Sequence, residues 1–258
     1  MQIVIVEPEE FAGRAADLLC EAVRDRQGAV LGLPTGRTPL EMYAELSRRA
    51  AKGEIDVNRA AAFAIDELHG VPREHPATNA SYLARALKGV PLGELHVMNS
   101  ETVDADAECA RIASLLQRAG GLDLAVLGIG RNGHLAFNEP GSAFDSHTRR
   151  VRLDDVTREP YVAAFGSFDA TPEFGLTLGM AELLGAREVL LLANGADKAW
   201  IVARALEGAV SVDVPASALQ GHKDVTVLLD EEAGTGLSAD MRNVYRHAQR
   251  DTGDVGAA

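Results

Sequence analysis

The sequence has few of the residues that build disulfide-rich, membrane-spanning or nucleic-acid-binding proteins. It contains two cysteines, Cys20 and Cys109, which are far apart in the chain and form no C-x-x-C pair. A disulfide framework is therefore excluded, and two buried free thiols in a cytoplasmic protein are expected. No apolar run approaches the roughly 18 residues of a membrane-spanning helix. The opening MQIVIVEPEE also lacks the basic start of a signal peptide.

Positive charge is also scarce, because 25 lysines and arginines stand against 38 aspartates and glutamates. The resulting net charge of −13 lacks the broad basic surface of a nucleic-acid-binding protein. Such a chain holds an anionic ligand only through local cations or backbone amides. We therefore expect no nucleic acid and no membrane among its partners.

Short apolar runs alternate with helical patterns along the 258 residues. The predicted strands are residues 2–6, 29–34, 61–66, 95–99, 122–130, 148–153, 188–193 and 224–230, and the predicted helices are residues 9–26, 39–51, 81–88, 104–119, 178–184 and 198–207. Several strands are continuously apolar, which is typical of strands buried on both faces of a parallel sheet. The pattern predicts an α/β fold: a single doubly wound, mostly parallel sheet with helices on both faces. We expect one domain over residues 1–250 and a disordered tail over residues 251–258.

In open α/β sheets, ligands bind beyond the carboxyl ends of the strands, so the residues that follow each strand are the candidates. The segment LGLPTGRTP, residues 31–39, joins a predicted strand to a predicted helix. Gly36 permits close backbone approach, and Thr35 and Thr38 offer hydroxyl groups. Amides at the start of the helix favour a phosphate. The alternative is an ordinary capped turn.

The segment AIDELHG, residues 64–70, ends a predicted strand with two carboxylates, Asp66 and Glu67. Adjacent residues of a strand point to opposite faces, so only one of them faces a given pocket. A carboxylate placed there is a candidate general base, because burial can raise its pKa toward neutrality. The alternative is a solvated aspartate that caps a helix or turn.

The segment LGIGRNGHLAFNEPG, residues 127–141, carries the strongest signal in the sequence. Gly130 and Gly133 allow the chain to fold tightly around a small ligand. His134 titrates near neutral pH, and a carboxylate such as Glu139 can orient it and raise its pKa. Asn132 adds an amide to the same loop. A lone loop histidine is more often a surface residue, but these neighbours favour a functional one.

Other kinds of site find no support in the sequence. The seven histidines show neither H-x-x-x-H nor H-E-x-x-H spacing, so no metal is expected. No G-x-S-x-G motif marks a serine nucleophile. Lys198 follows a predicted strand, where a lysine is usually solvated but is able to reach a phosphate.

Five segments resemble glucosamine-6-phosphate deaminases. They are LGLPTGRTPLEMY, IDELHGVPREHPAT, DADAEC, GIGRNGHLAFNEPGSAFDSHTR and PASALQGHKDVTVLLDEEA. The resemblance runs in register from about residue 3 to residue 233. The related 6-phosphogluconolactonases share the G-x-G-x-x-G-H part of the fourth segment but not the FNEP that follows.

The resemblance implies an enzyme that opens the sugar ring, moves a proton between C2 and C1, and releases the C2 nitrogen as ammonia, giving fructose 6-phosphate. It implies that Asp66 takes the C2 proton and that His134 opens the ring, with Glu139 and Asn132 beside it. It also implies a phosphate site, formed by Thr35, Gly36, Arg37, Thr38 and Lys198, with Gly130 and Gly133 shaping the pocket. The implied substrate is a small sugar phosphate, no cofactor or metal is needed, and both monomers and homo-oligomers occur in the family.

The sequence departs from the family at four positions. Many members have an aspartate in place of Asn132, and most have a tyrosine in place of Leu68. The family's T-R-x-x-N-A-R-F-F pattern places a phosphate-binding arginine where this chain has Ala163, and Pro160 interrupts the local helix. Conversely, Arg37 stands where the family usually has glycine or serine. We hypothesise that Arg37 replaces the missing arginine from the other side of the phosphate.

The alternatives follow from these departures. One is a deaminase or isomerase that acts on a different amino sugar or sugar phosphate. A 6-phosphogluconolactonase is disfavoured, because lactone hydrolysis has no evident need for Asp66 and the FNEP pattern is present. A sugar-phosphate sensor is also disfavoured, because the chain keeps Asp66, His134 and Glu139 and lacks a basic DNA-binding segment.

Overall fold

The computed structural model describes residues 1–24, 26, 28–55 and 57–242. The predicted tail over residues 251–258 lies outside the described residues. Within the described residues, no helix is long and apolar enough to cross a membrane.

Strands and helices alternate along the chain, as the sequence pattern predicts. The strands are β1 (Gln2–Val6), β2 (Val30–Leu33), β3 (Ala61–Ala64), β4 (Asp66–Leu68), β5 (Glu94–His96), β6 (Leu124–Gly128), β7 (Arg149–Arg152), β8 (Phe174–Thr177), β9 (Glu188–Ala193) and β10 (Val225–Asp230). The α-helices are α1 (Phe11–Arg24), α2 (Leu40–Ala51), α3 (Asn79–Ala86), α4 (Ala105–Arg118), α5 (Asp155–Arg158), α6 (Val162–Phe165), α7 (Met180–Leu184), α8 (Ala199–Glu207) and α9 (Glu231–Gly234).

The central sheet has seven strands in the order β1-β10-β9-β6-β2-β3-β5, and all of its pairs are parallel. Strands β2, β6 and β9 are buried along almost their whole length. Continuous burial requires apolar side chains on both faces, which explains why these runs do not alternate with polar residues. The predicted doubly wound, mostly parallel α/β fold is confirmed.

Helices cover both faces of this sheet. The buried faces of α1, α2 and α3 pack with one side of the sheet in one apolar cluster. Those of α4, α7, α8 and α9 pack with the other side in a second cluster. In α1, Phe11, Ala15 and Leu19 are buried at intervals of four residues, so one stripe of the helix faces the sheet. Cys109 is buried in α4 as expected, whereas Cys20 is only partly buried, which corrects the prediction of two buried thiols.

A second, three-stranded antiparallel sheet has the order β4-β8-β7. The sequence predicts one strand over residues 61–66, but the chain leaves the central sheet after Ala64, and Asp66 instead pairs with Thr177. Strand β8 was not predicted, because Gly175 interrupts its apolar pattern. That glycine is required by packing, since a Cβ atom there would lie 2.5 Å from the Phe137 ring.

The segment after β7 folds as predicted around Pro160. Helix α5 ends at Arg158, a 3₁₀ turn spans Glu159–Tyr161, and α6 restarts at Val162. Proline has no amide hydrogen to donate and therefore divides the segment into short helices.

Candidate active site

The carboxyl ends of β2, β3, β6 and β9 lie at one edge of the central sheet, and the loops that follow them carry the predicted site residues. Contacts between these loops form a continuous path. It runs from Asp66 through α3 to the loop after β2, then to the loop after β9 and the loop after β6, and back through β8 to β4.

Asp66 and Glu67 are both buried but face different neighbours. Asp66 is 7% exposed, and its Oδ1 accepts a hydrogen bond of 2.5 Å from Asn79 Nδ2. Glu67 is fully buried and accepts the backbone N–H groups of Asn79 and Ala80, each at 2.8 Å. Glu67 therefore caps the start of α3, where a negative charge is favoured by the helix dipole. Of the two carboxylates, Asp66 is the one that remains a candidate for the predicted base, and that role stays a prediction.

Burial raises the pKa of both carboxyl groups toward neutral pH. Burial, together with the charge of Glu67, raises the pKa of Asp66 to about 8, against the lowering effect of the Asn79 hydrogen bond. Burial raises the pKa of Glu67 to about 7, opposed by the hydrogen bonds from Ala80, Asn79 and Leu68. A carboxyl group with a pKa near the working pH both takes and returns a proton readily.

His134 and Glu139 are within reach of each other in the loop after β6. His134 Nδ1 lies 3.4 Å from Glu139 Oε2 and 3.1 Å from Thr157 Oγ1. Glu139 also accepts hydrogen bonds from Asn132 Nδ2 at 2.8 Å and from the backbone N–H of Asp154 at 3.2 Å. Burial acts to raise the pKa of Glu139, but the hydrogen bonds from His134, Thr157 and Asn132 outweigh it and lower that pKa. A charged carboxylate therefore lies beside the imidazole.

Glycine at position 130 leaves room for the His134 ring. A Cβ atom at Gly130 would lie 2.2 to 2.4 Å from three ring atoms of His134. Gly133 has a φ of 89°, and a Cβ atom there would meet Val214 at 2.8 Å. Both glycines are therefore needed for the loop to place the imidazole where it is.

The loop after β2 is held from two sides by tyrosine hydroxyls. Tyr43 donates to the carbonyl oxygen of Pro34 at 2.7 Å, and Tyr82 donates to that of Gly36 at 2.5 Å. Gly36 has a φ of 105°, which glycine adopts without strain. Thr38 donates to Asn194 Oδ1 at 2.7 Å, which joins this loop to the one after β9.

Three cations gather beside this loop. Lys198 donates from Nζ to the carbonyl oxygen of Ile129 at 2.9 Å, which brings it to the end of β6. Burial lowers the pKa of Lys198, and the charges of Arg131 and Arg37 act in the same direction against that of Asp197. Arg37 is exposed, and Arg131 pairs with Glu159 at 2.5 Å. A dianionic phosphate placed among these cations would relieve their mutual repulsion.

Thr177 connects the two halves of the path. Its backbone pairs with Asp66 in the second sheet, and its hydroxyl oxygen accepts the backbone N–H of Phe137 at 3.2 Å. Asn138 donates from Nδ2 to the carbonyl oxygen of Leu178 at 2.9 Å, and Arg149 donates to its Oδ1 at 2.8 Å. The loop with His134 and the strand with Asp66 are therefore both anchored to Thr177, and the loop is also bonded to the next residue, Leu178.

Several residues that the sequence pattern does not mark also lie here. Asn79, Arg131, Asp154 and Thr157 all contact predicted site residues or lie beside them. Asn79 and Thr157 belong to helices that reach the site from other parts of the chain, so no spacing in the sequence marks them. Arg131 lies inside the glycine-rich loop and is detectable there as an extra cation next to Asn132.

Two departures from the family pattern have clear positions. Leu68 is fully buried with Val71, Phe137 and Leu153 in a small apolar cluster under the second sheet. Ala163 is exposed on α6 and supplies no cation. Within the described residues, no group of three or more histidine, cysteine, aspartate or glutamate side chains is arranged to hold a metal ion.

Known proteins with related sequences cover nearly the whole chain. A sequence model of the family described as glucosamine-6-phosphate isomerases/6-phosphogluconolactonase matches residues 7–228. The glucosamine-6-phosphate deaminase of Bacillus pumilus is 38% identical over 239 residues, which is 91% of this chain and 99% of that protein. The glucosamine-6-phosphate deaminase of Pseudarthrobacter chlorophenolicus is 39% identical over 251 residues, which is 96% of each chain.

Solved structures agree with these sequence matches. A monomeric glucosamine-6-phosphate deaminase superposes with a TM-score of 0.87 at 35% identity, over 92% of this chain and all of that one. The 6-phosphogluconolactonase of Trypanosoma brucei superposes with a TM-score of 0.70 at 20% identity, over 92% of this chain and 98% of that one, and shows the shared fold alone. The chain therefore belongs to the family of glucosamine-6-phosphate isomerases and 6-phosphogluconolactonases.

Proposed function

We propose that this chain is an enzyme that converts glucosamine 6-phosphate and water into fructose 6-phosphate and ammonia. The observation that carries the proposal is the buried carboxyl group of Asp66, whose pKa of about 8 suits a group that shuttles a proton near neutral pH. The relatives named as glucosamine-6-phosphate deaminases support the substrate. The free cysteines Cys20 and Cys109 support a cytoplasmic location.

The first step assigned to the site is ring opening. His134 takes the proton of the C1 hydroxyl and delivers it to the ring oxygen as the C1–O bond of the ring breaks, which gives the open-chain aldehyde. Glu139 lies 3.4 Å from His134 Nδ1 and supports this step, because a nearby carboxylate stabilises the imidazolium form. Asn132 and Asp154 hold Glu139 in place through its two oxygens.

The second step is proton transfer from C2 to C1. Asp66 removes the C2 proton, which gives an enolamine, and the Asp66 carboxyl group then returns the proton to C1, which leaves an imine at C2. Water adds to this imine and ammonia departs, so the C2 carbon becomes the ketone of fructose 6-phosphate. The burial of Asp66 supports this role, since it raises the basicity of the carboxylate toward that required for a weakly acidic C–H bond.

The phosphate is assigned to the loop after β2 together with Lys198. Thr35, Gly36 and Thr38 offer their backbone just before α2, since the hydroxyls of Thr35 and Thr38 donate to Asn79 and Asn194, and Arg37 and Arg131 add charge. Under this proposal Arg37 and Arg131 together take over from the arginine that the family pattern has in place of Ala163. Replacement of Arg37 by alanine should raise the KM for a phosphorylated sugar about tenfold, and an unchanged KM would rule Arg37 out.

The experiment is a coupled assay on the purified protein. Glucosamine 6-phosphate is added, and ammonia and fructose 6-phosphate are measured together for the wild type and for Asp66→Asn. We expect equimolar products from the wild type and a loss of at least 1,000-fold in kcat for the variant, on the scale of removing a general base. A folded wild-type protein that releases neither product contradicts the proposal.

A second candidate function is the same chemistry on a different amino sugar or sugar phosphate. It is favoured by Leu68, which fills the apolar cluster where the family usually has tyrosine, and by the exposed Ala163. Ammonia release from another 6-phosphorylated amino sugar at a higher kcat/KM than from glucosamine 6-phosphate would select it.

A further inference from the structure

Asn79 makes an unusual set of contacts for a residue that opens a helix. It is the first residue of α3, it is 2% exposed, and Thr78 before it accepts the backbone N–H of Ser81 to cap the helix. Its backbone N–H donates to Glu67 at 2.8 Å. The backbone of Asn79 is therefore fixed, and its side chain has little freedom to move away from the site.

The contacts of the amide group determine which way it points. Asn79 Nδ2 donates to the backbone carbonyl oxygen of Asp66 at 3.0 Å and to the Asp66 side chain at 2.5 Å. A carbonyl oxygen only accepts hydrogen bonds, so the NH₂ group must face Asp66. The amide oxygen then faces Thr35, whose hydroxyl donates to it at 3.0 Å. A chain of two hydrogen bonds thus runs from Thr35 to the carboxylate of Asp66.

This arrangement separates the two oxygens of the carboxylate. Asn79 occupies Oδ1, which leaves Oδ2 to receive the substrate proton. The donor also favours the charged form of a buried carboxylate that would otherwise be stabilised as the neutral acid. The other titratable groups around Asp66 are Glu67, Tyr43 and Tyr161. The charge of Glu67 disfavours a negative charge on Asp66, whereas burial and the nearby Asp66 raise the pKa of both tyrosines, so their hydroxyls stay neutral. Asn79 is the neighbour that favours this charge.

We infer that Asn79 is a positioning residue that aims the Asp66 carboxylate at the substrate and connects it to Thr35 in the loop assigned to the phosphate. The inference rests on the proposed role of Asp66 as the base. It extends that role, since substrate seated against the backbone of the loop would fix the position of Thr35, and the Thr35 hydroxyl, which donates its one proton to Asn79, would hold Asn79 against the base. Removal of the amide should therefore slow proton transfer more than it weakens binding.

The experiment compares Asn79→Ala and Thr35→Val, singly and together, with the wild type. Ser81→Ala serves as the control in the same helix, because the Ser81 hydroxyl donates to the carbonyl oxygen of Arg73 on the exposed side. Circular dichroism and thermal melting first establish that each variant is folded. The kcat and KM are then measured with glucosamine 6-phosphate and with the substrate deuterated at C2.

For Asn79→Ala we expect kcat to fall about 100-fold with KM within threefold, and the primary isotope effect on kcat to increase, because proton transfer becomes the slow step. For Thr35→Val we expect a three- to tenfold loss in kcat in the wild-type background and little further loss in the Asn79→Ala background. Ser81→Ala should match the wild type. Additive losses, or an unchanged isotope effect, would overturn the inference.

A second measurement does not depend on turnover. The Asp66 carboxyl group is titrated by ¹³C nuclear magnetic resonance in the wild type and in Asn79→Ala. Loss of the donor should move the midpoint to higher pH, and an unchanged midpoint contradicts the inference. If the wild type does not turn over glucosamine 6-phosphate, the proposed function fails, and this titration still decides whether Asn79 controls Asp66.

Discussion

At the scale of single residues, the neighbouring carboxyl groups of Asp66 and Glu67 have different tasks because they face different donors. Glu67 accepts hydrogen bonds from two backbone N–H groups at the start of α3 and so caps that helix. Asp66 accepts a hydrogen bond from one side-chain amide at Oδ1, and its other oxygen is the one proposed to take the substrate proton. The negative charge of Glu67 repels that of Asp66, which contributes to the raised pKa of Asp66.

The raised pKa of Asp66 makes the stability of the fold depend on pH. Its folded-state pKa of about 8 lies above the ordinary value of 3.8, so the folded state keeps a proton that the unfolded chain releases between these values. The free energy of unfolding therefore falls as pH rises through this window. Asp66→Asn removes this dependence. We expect it to be more stable than the wild type by about 1–3 kcal/mol at pH 9, with little advantage at pH 4.

Urea unfolding at pH 4 and pH 9 measures this difference. Asp145→Asn, which alters an exposed carboxylate, is the matched control and should follow the wild type at both values. If Asp66→Asn loses as much stability between the two pH values as the wild type does, Asp66 does not have a raised pKa.

Glu139 offers the second prediction at this scale. Its pKa is lowered by hydrogen bonds that outweigh burial, so the group is a carboxylate beside His134 at neutral pH. Glu139→Gln keeps the size and removes the charge, and kcat should fall about 10- to 100-fold with KM within threefold. Because ring opening becomes slower, the isotope effect of C2 deuteration should shrink toward one.

The isotope effect distinguishes Glu139 from Asn79, whose replacement should enlarge it. Glu173→Gln changes an exposed glutamate just before β8 and should leave both kcat and the isotope effect as in the wild type. An enlarged isotope effect in Glu139→Gln would show that Glu139 acts on proton transfer at C2 and not on ring opening.

At the scale of elements, the loop after β6 has a glycine, Gly130, that leaves space for the imidazole of His134. A Cβ atom at Gly130 would overlap the His134 ring, and the contact of that ring with Thr157 limits its movement. Gly130→Ala should therefore displace the imidazole and lower kcat at least 100-fold, while the melting temperature changes by less than about 3 °C. Gly128→Ala is the control, since a Cβ atom there meets nothing within 4 Å. If the Gly130→Ala variant remains active, His134 is not required for catalysis.

The elements also show which features of the fold a sequence pattern is able to predict. The parallel strands were predicted because they are buried on both faces and read as continuous apolar runs. The second sheet was only partly predicted. Only one residue, Ile65, separates the end of β3 in the central sheet from the start of β4 in the second sheet, and β8 contains Gly175. Such breaks are set by contacts with distant residues, here the ring of Phe137.

The same limit applies to the candidate site. Asp66, His134 and Glu139 follow apolar runs that predict buried strands, so their positions were predictable, and the structure places each of them at the expected edge of the sheet. Their proposed roles stay predictions. Asn79 carries no local signal, because its importance arises only when α3 folds against β4.

At the scale of the whole molecule, the net charge of −13 opposes the approach of a sugar phosphate. Binding then depends on a local field of opposite sign. Arg37, Arg131 and Lys198 supply that field at the carboxyl edge of the sheet, and Lys198 is partly buried, where salt screens its charge less than at the surface. Because the remainder of the molecule is acidic, we expect an anion to bind at this edge.

Inorganic phosphate tests this view without any assumption about the sugar. A ligand that binds only the folded state stabilises it by about 1.4 kcal/mol at tenfold its Kd, which corresponds to about 3–6 °C in melting temperature for a chain of this size. We expect this shift with phosphate at constant ionic strength, and its loss in Lys198→Ala and Arg131→Ala. Arg118→Ala is the control, because Arg118 ends α4 at the amino edge of the sheet and bonds to Ser114. If phosphate raises the melting temperature of all four proteins equally, the anion binds elsewhere, and the three cations need another explanation.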